Sequence, residues 1–296
     1  MKSSFYKIRG ELVTFYADDG LELQGFLARS KIRTKKAIIH IHGLTGAFFR
    51  SHLASKLLPK FLSAGYDSFV INTRGYGIIS RFKIITGKKS LRMNSGTALE
   101  RFEDCVKDVR GAIKFLLSQG YRKIILLGHS TGCQKSIYYV HKEKDKRISA
   151  IILLAPADDY NVNKKELKGK WKMAVKTAKK LLKKNPNALL PLNLTNNEYL
   201  SAQRFLSFGD LSRVESRLFD YESDLKEFQS IRIPTIAIFG SREEYKTKPV
   251  STYLEKLRRL SNSPNFSAIE IKGATHSFQN HEAETANAVI NWLNKI

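Results

Sequence analysis

The stretch Gly128-His129-Ser130-Thr131-Gly132 decides how this chain is expected to fold. It follows an apolar run at residues 123–127 that is typical of a strand, and residues 133–140 after it are predicted to be helical. A G-x-S-x-G pattern between a strand and a helix indicates a nucleophile elbow, a strained turn that presents the serine at the tip of the sheet. The flanking glycines leave room where strand and helix approach. We therefore interpret Ser130 as a nucleophile.

A histidine late in the chain is the candidate general base. His276 follows a strand-like run at residues 266–271 and precedes the last predicted helix, so a loop can carry its imidazole back to Ser130. Histidine suits this task because its ordinary pKa lies near neutrality. His281 is a competitor, but it falls at the start of the final helix, where it is less free to reach Ser130.

The acid of a Ser–acid–His order is expected after the strand predicted at residues 234–239. Glu243 is the preferred candidate because of its spacing from the end of that strand, and Glu244 is the alternative. The carboxylate would hold the imidazole in the required tautomer and stabilise the imidazolium. Asp158 and Asp159, which follow an earlier predicted strand, are a second possible origin.

Two backbone N–H groups are expected to form an oxyanion hole. One is that of Thr131, directly after the nucleophile. The other lies in the loop His42-Gly43-Leu44-Thr45-Gly46, where we choose the N–H of Leu44. His42 is expected to brace this loop by hydrogen bonding. A metal pair of His40 and His42 is disfavoured, because no third ligand lies close in sequence.

These motifs together resemble those of the α/β-hydrolase superfamily over nearly the whole chain. The resemblance includes the His-Gly loop, the loop Arg74-Gly75-Tyr76-Gly77, the elbow, the acid strand and the late histidine. Residues 128–134, 201–205 and 240–245 are similar to a poorly characterised hydrolase family that includes fungal siderophore esterases. Its acid position is usually an aspartate followed by Glu-Tyr, so the resemblance implies that Glu243 takes that position here.

The rest of the pattern fits an α/β fold. Alternating runs at residues 11–16 and 22–28 predict an opening hairpin. Later strand patterns alternate with helical ones, which predicts a mostly parallel central sheet with helices on both faces. The clearest helical spacing covers residues 99–118.

The alternation stops between residues 157 and 230, where the superfamily carries a cap. We expect a core domain formed by residues 1–156 and 231–296, and a helical cap or lid at 157–230. An amphipathic helix is plausible in its first half, which carries ten lysines against one acid, Glu166; the lysines are Lys164, Lys165, Lys168, Lys170, Lys172, Lys176, Lys179, Lys180, Lys183 and Lys184. The simpler interpretation of these lysines is a solvated helix face. The more specific interpretation is that they contact an anionic substrate or a membrane surface.

Composition excludes several other classes. The net charge is +24, which attracts anions without specifying one. We find no nucleic-acid-binding module, and Gly75-Tyr76-Gly77 lacks the next glycine of a dinucleotide fingerprint. No apolar run reaches the length of about 18 residues that a membrane span needs, and the two cysteines indicate no disulfide framework. We expect a cytoplasmic protein without integral membrane association; its oligomeric state stays open.

The sequence thus predicts a serine hydrolase that cleaves a small carboxylic ester, anionic if the basic cap faces the pocket. Ser130, Glu243 and His276 would act through an acyl-enzyme, with no metal or organic cofactor required. A peptidase or thioesterase is an alternative on the same triad. A catalytically silent binding protein that uses the basic cap as its contact surface is the alternative from another class.

Overall fold

The architecture is described here for residues 8–296 of a computed structural model. The first seven residues of the expected core range 1–156 lie outside this described part. Ten strands are formed: β1 (Glu11–Tyr16), β2 (Glu22–Ala28), β3 (Lys36–Ile41), β4 (Asp67–Ile71), β5 (Ser80–Thr86), β6 (Lys89–Ser95), β7 (Lys123–His129), β8 (Ile148–Leu154), β9 (Thr235–Gly240) and β10 (Ser267–Ile271).

Eight of these strands form one central sheet in the order β1-β2-β4-β3-β7-β8-β9-β10. The pairs β1/β2 and β2/β4 are antiparallel, and every other neighbouring pair is parallel. The opening hairpin and the mostly parallel sheet are therefore confirmed. A separate antiparallel hairpin, β5–β6, was not predicted.

Ten α-helices accompany the sheet within the described residues: α1 (His52–Ser63), α2 (Cys105–Ser118), α3 (Thr131–Glu143), α4 (Asp159–Leu167), α5 (Trp171–Lys184), α6 (Ala202–Gly209), α7 (Val214–Leu218), α8 (Lys226–Gln229), α9 (Val250–Leu260) and α10 (Glu282–Leu293). Each of them is too short or too polar to span a lipid bilayer.

Helices cover both faces of the sheet because the buried strands are apolar on both sides. On β7, Leu126 packs in the cluster that contains α2, α3 and α9, whereas its neighbour Leu127 packs in the cluster that contains α1 and α10. This division follows from the alternation of side chains along a strand. It confirms the expected layers of the α/β fold.

The helix predicted at residues 99–118 begins later, at Cys105. Gly96 adopts a left-handed conformation with φ 98°, and the N–H groups of Leu99 and Glu100 both donate to its carbonyl. The chain therefore turns tightly before the helix begins. The turn directs the Glu100 side chain inward, where it is 2% exposed.

Glu100 is the centre of a buried ion network. One carboxylate oxygen accepts a hydrogen bond from Lys135 of α3 at 2.9 Å, and the other lies 3.6 Å from Nε of Arg204 in α6. Burial alone would raise the pKa of Glu100, but the charges of Lys135 and Arg204 outweigh it and hold this pKa below its ordinary value. Arg204 also pairs with Glu215, which is itself buried. The network therefore joins the helix after the elbow to the segment at 157–230.

We predict that Glu100→Ala strongly destabilises the fold. Removing this carboxylate leaves Lys135 and Arg204 less well compensated in the interior, and breaking a buried ion pair costs about 3–5 kcal/mol. Glu103→Ala is the matched control, since Glu103 pairs at 3.5 Å with the exposed Arg101 and should lose less than about 1 kcal/mol. Urea unfolding of both variants measures the difference, and equal losses would contradict the prediction.

Candidate active site

The turn between β7 and α3 holds Ser130 in a strained conformation. Its φ is 55° and its ψ is −128°, which a residue with a side chain rarely adopts. The Ser130 N–H donates to the Leu154 carbonyl of β8 at 2.9 Å, and the Ser130 carbonyl accepts from the Cys133 N–H at 2.8 Å. The sheet and the first turn of α3 therefore both fix the strained residue. This is the turn that the opening motif predicted.

The two glycines of the motif are required by close backbone contacts. A Cβ on Gly132 would lie 2.1 Å from the carbonyl oxygen of Ile41, and one on Gly128 would lie 2.3 Å from the carbonyl oxygen of Gly132. No real Cβ contact is that short, so strand and helix could not approach as they do with alanine at either position. The stated reason for glycine at these positions is confirmed.

His276 and Glu243 form a buried pair beside the elbow. Nδ1 of His276 lies 2.7 Å from a carboxylate oxygen of Glu243, whose side chain is 1% exposed. The same oxygen accepts the Tyr245 N–H at 2.9 Å, which fixes the carboxylate toward the ring. Because an ionised carboxylate only accepts, Nδ1 is the donor and Nε2 keeps its lone pair. That tautomer is the one a general base needs.

Glu244 contacts the same histidine through its main chain. Its carboxylate accepts the backbone N–H of His276 at 2.6 Å. The two adjacent glutamates thus hold the ring and the backbone of one residue. Of the two sequence candidates, Glu243 is the one that the structure brings to the imidazole.

The other candidates make different contacts, although Asp159 lines the same cavity as Ser130 and His276. Asp158 caps α4 by accepting the Asn161 N–H. Asp159 accepts from the side chain of Gln134 at 2.8 Å, and burial together with the charge of nearby Glu215 raises the pKa of Asp159 to about 8. His281 precedes α10 and contacts Glu284 at 3.3 Å. None of these three residues hydrogen-bonds to the His276 imidazole within the part of the chain described.

Two further aromatic groups hold His276, and sequence reasoning missed both. Nε2 of His129 lies 2.9 Å from the His276 carbonyl oxygen, and the Tyr245 ring meets the imidazole edge-on with centroids 4.6 Å apart. Burial lowers the pKa of His129 to about 4, so the ring is neutral and Nε2 donates. The second position of the G-x-S-x-G motif was the available signal for His129.

The loop after β3 packs directly on the elbow. A Cβ on Gly43 would lie 2.8 Å from the Ser130 Cβ and 3.2 Å from its Oγ. Among the described residues, the N–H groups of Leu44 and Thr131 have no hydrogen-bond acceptor. Two unpaired donors therefore flank the serine, as the expected oxyanion hole requires.

His42 holds this loop in place. Its Nδ1 lies 2.7 Å from the Gly43 carbonyl oxygen, and its Nε2 accepts the Thr73 N–H at 3.1 Å. Burial, reinforced by the charge of Lys135, lowers the pKa of His42 to about 4. Both ring nitrogens of the neutral His42 are thus used in hydrogen bonds that hold the loop, which is the bracing role expected from the sequence.

Ser130 and His276 line one cavity of about 800 Å³. Ser130 Oγ makes no hydrogen bond with His276 in the described structure, although both side chains face this space. Unliganded sites often have long catalytic contacts that tighten only when substrate binds. Residues of the segment 157–230 also line the cavity, among them Val162, Glu166 and Glu198.

The architecture of this protein is the α/β-hydrolase fold. The structure resembles the siderophore hydrolase EstB from Aspergillus fumigatus, with a TM-score of 0.73, 17% identity and 98% of each chain covered. It also resembles Est1E from Butyrivibrio proteoclasticus with bound ferulic acid, with a TM-score of 0.65, 17% identity and coverage of 96% of this chain and 98% of that one. It resembles the carboxylesterase CesB from Bacillus subtilis with a TM-score of 0.60 and 18% identity, and the match covers 97% of this chain and 93% of that one. Such low identities show the fold alone.

The chain belongs to the family described as a protein of unknown function, DUF1749, whose model matches residues 11–295. No curated protein matches the sequence. The resemblance inferred from sequence motifs is confirmed, and the activity has to be argued from the site.

We predict that Glu243→Gln slows the reaction of Ser130 with a fluorophosphonate more than Glu244→Gln does. The amide keeps the shape but cannot stabilise the imidazolium, so labelling should slow by roughly a hundredfold or more. Glu244→Gln keeps an oxygen that can accept the His276 backbone N–H and loses only the charge, so it should cost about tenfold or less. A larger loss at Glu244, or at Asp158 or Asp159, would move the acid role there.

Proposed function

We propose that this protein is a serine hydrolase that cleaves carboxylic esters. One observation carries the proposal: the imidazole of His276, oriented by the buried carboxylate of Glu243, faces the same cavity as the strained Ser130. Three solved structures that share the fold are named as a siderophore hydrolase, a carboxylesterase and a ferulic acid complex. Their names favour an ester over other acyl substrates.

The reaction would begin with attack of Ser130 Oγ on the ester carbonyl carbon. Nε2 of His276 accepts the hydroxyl proton, and Glu243 stabilises the imidazolium that forms. The carbonyl oxygen becomes an oxyanion, which accepts hydrogen bonds from the N–H groups of Leu44 and Thr131. These two donors supply the stabilisation without rearrangement, because the chain leaves them unpaired beside the serine.

Collapse of this intermediate would release the alcohol and leave Ser130 acylated. His276 returns its proton to the leaving oxygen, so the alcohol departs neutral. Water then attacks the acyl carbon with His276 again as base, which releases the carboxylic acid and restores the serine hydroxyl. The steps use the chain's own groups throughout.

The segment 157–230 is proposed to act as a cap. Its helices α4, α5 and α6 share a hydrophobic cluster of their own, in which Trp171 meets Phe205 with ring centroids 5.7 Å apart. The end of the segment does not belong to this separate cluster, because Leu218 and Phe228 pack in the main core. We therefore assign the lid role to the part before α7, which contributes residues to the cavity wall.

The charge of the cap bears on substrate choice. All ten lysines of its first half are exposed, while Trp171 and Ala178 are buried against the cluster. Among the described residues, Arg50 is the one lysine or arginine that lines the cavity, and Glu166 and Glu198 line it too. The cavity wall thus gives no support to the expected anionic substrate, and we propose a neutral ester.

Ser130→Ala should abolish ester turnover in a folded protein. The remaining catalysis would come from binding and the oxyanion donors alone, so kcat/KM for an aryl acetate should fall at least about a thousandfold. Ser277→Ala is the control, because Ser277 lines the same cavity without following the elbow strand. Fluorophosphonate labelling and mass spectrometry locate the reactive serine.

Three outcomes of that experiment separate the candidate functions. A wild-type protein that neither labels nor turns over esters would contradict hydrolysis and favour a silent binding protein. Faster turnover of a thioester or amide isostere than of the ester would favour the thioesterase or peptidase alternative. Near-normal ester turnover by Ser130→Ala would remove the nucleophile role.

Charge reversal on the outside of the cap should leave kinetics nearly unchanged. Lys180 is exposed on α5 and does not line the cavity, so Lys180→Glu should alter kcat/KM by less than about twofold at moderate salt. Glu198→Gln, inside the cavity, should raise kcat/KM for a succinate half-ester relative to the butyrate ester by a few fold. If Lys180→Glu selectively slows the anionic ester instead, the basic cap surface steers substrate.

A further inference from the structure

The cavity continues from Ser130 into an inner arm between α1 and the sheet. Its floor is a row of cross-strand neighbours, because His40 of β3 pairs with Val70 of β4 and with Leu127 of β7. All three side chains line the cavity. Its roof is formed by Leu53, Ala54 and Leu57. Their spacing places them on one face of α1.

His40 is the one polar group in this floor and roof. It is 4% exposed, and neither ring nitrogen has a hydrogen-bond partner among the described residues. Buried polar side chains nearly always have a partner, so an unpaired imidazole at the wall of a cavity needs an explanation. The ring packs against Phe61, with centroids 5.7 Å apart, and this contact uses no polar atom.

The imidazole of His40 is neutral. Burial lowers its pKa to about 3, and no described acid forms an ion pair with it. A neutral imidazole offers one N–H donor and one acceptor nitrogen. A hydroxyl can pair with either nitrogen, because it accepts from the N–H or donates to the acceptor nitrogen.

We propose that the inner arm binds an aliphatic chain of the ester that ends in a hydroxyl group, which hydrogen-bonds to His40. The apolar roof and the Val70 and Leu127 side chains contact the methylene groups. A terminal ammonium or carboxylate would lose its hydration there without a counter-ion, and a terminal methyl would leave both ring nitrogens unpaired. The inference rests on the proposed ester hydrolysis and specifies its substrate class.

The length of the arm sets the size of this chain. Leu127 lies three residues before Ser130 in the sequence, a separation of roughly 10 Å along a strand. An acetyl group at Ser130 therefore does not reach His40, whereas a medium-length chain does. The difference provides an internal control for the experiment.

Paired substrates test the proposal. Aryl ω-hydroxyhexanoate and aryl heptanoate have the same number of heavy atoms and differ only in a terminal hydroxyl or methyl. The ω-hydroxyhexyl and heptyl esters of acetic acid form the matching pair on the alcohol side. The kcat/KM ratio of hydroxyl over methyl ester is measured within each pair, and the pair whose ratio depends on His40 identifies the side of the ester that enters the arm.

Two substitutions at His40 give the decisive comparison. His40→Phe keeps a ring of similar size against Phe61 but removes both nitrogens, and the ratio should fall by about tenfold. His40→Gln retains a donor and an acceptor and should keep more of the preference than His40→Phe. Leu57→Phe narrows the roof without changing the imidazole, so it should slow both long esters together and leave their ratio in place.

Ratios that are equal in the wild type and in His40→Phe for both pairs would overturn the inference. Turnover of the aryl acetate separates this failure from failure of the proposed function. If the wild type cleaves the acetate while the ratios do not respond to His40, only the hydroxyl subsite is wrong. If no ester is cleaved at all, the ester hydrolase proposal fails, and the subsite fails with it.

Discussion

The buried carboxylate of Glu100 is the interaction on which the rest of the structure depends. It lies between Lys135, on the helix that starts at the elbow, and Arg204, on a helix of the proposed cap. Lys135 Nζ also donates to Thr73 Oγ1 at 3.1 Å, and the Thr73 N–H donates to His42. Contacts of this one ionised group therefore link the proposed cap, the helix that follows Ser130 and the loop that contains His42. Loosening it would disturb all three parts together.

This anchoring limits how the proposed cap can move. Beyond the ion network, the Ser201 N–H donates to the Ala98 carbonyl at 2.8 Å, and the side chain of Gln203 donates to the Leu99 carbonyl at 2.8 Å. The N-terminal end of α6 is thus fixed to the core, while the basic helix α5 lies on the solvent side. Any opening therefore has to pivot about α6, so the wall near Phe208 would move less than the rim near Glu166.

Much of the site could be predicted from local sequence, because strand ends place residues at one edge of a parallel sheet. Ser130 and His276 each follow a strand, and the structure brings both to one cavity. Spacing from the strand end favoured Glu243 over Glu244, and the structure turns the Glu243 carboxylate toward the imidazole. Helix α2 begins later than predicted because Glu100 turns inward to form an ion pair. The spacing of apolar residues carries no information about that buried charge. The β5–β6 hairpin was not predicted. The sequence signal for it was Gly87, which adopts a positive φ in the turn between the two strands.

Several unsatisfied groups of the described residues lie where chemistry is proposed, while others, on Ser68, Gln134 and Arg204, do not. Among the described buried side chains without a hydrogen-bond partner for a polar atom are His40, Thr131 and Glu243, and the Leu44 and Thr131 N–H groups are unpaired as well. Each unpaired group costs free energy in the folded state, as does the strained Ser130 backbone. The closely packed sheet and the ion network around Glu100 are large enough to hold such groups in place. A substrate that pairs with His40 and with the Leu44 and Thr131 N–H groups would recover part of that cost on binding, so these groups destabilise the empty fold and favour the bound state.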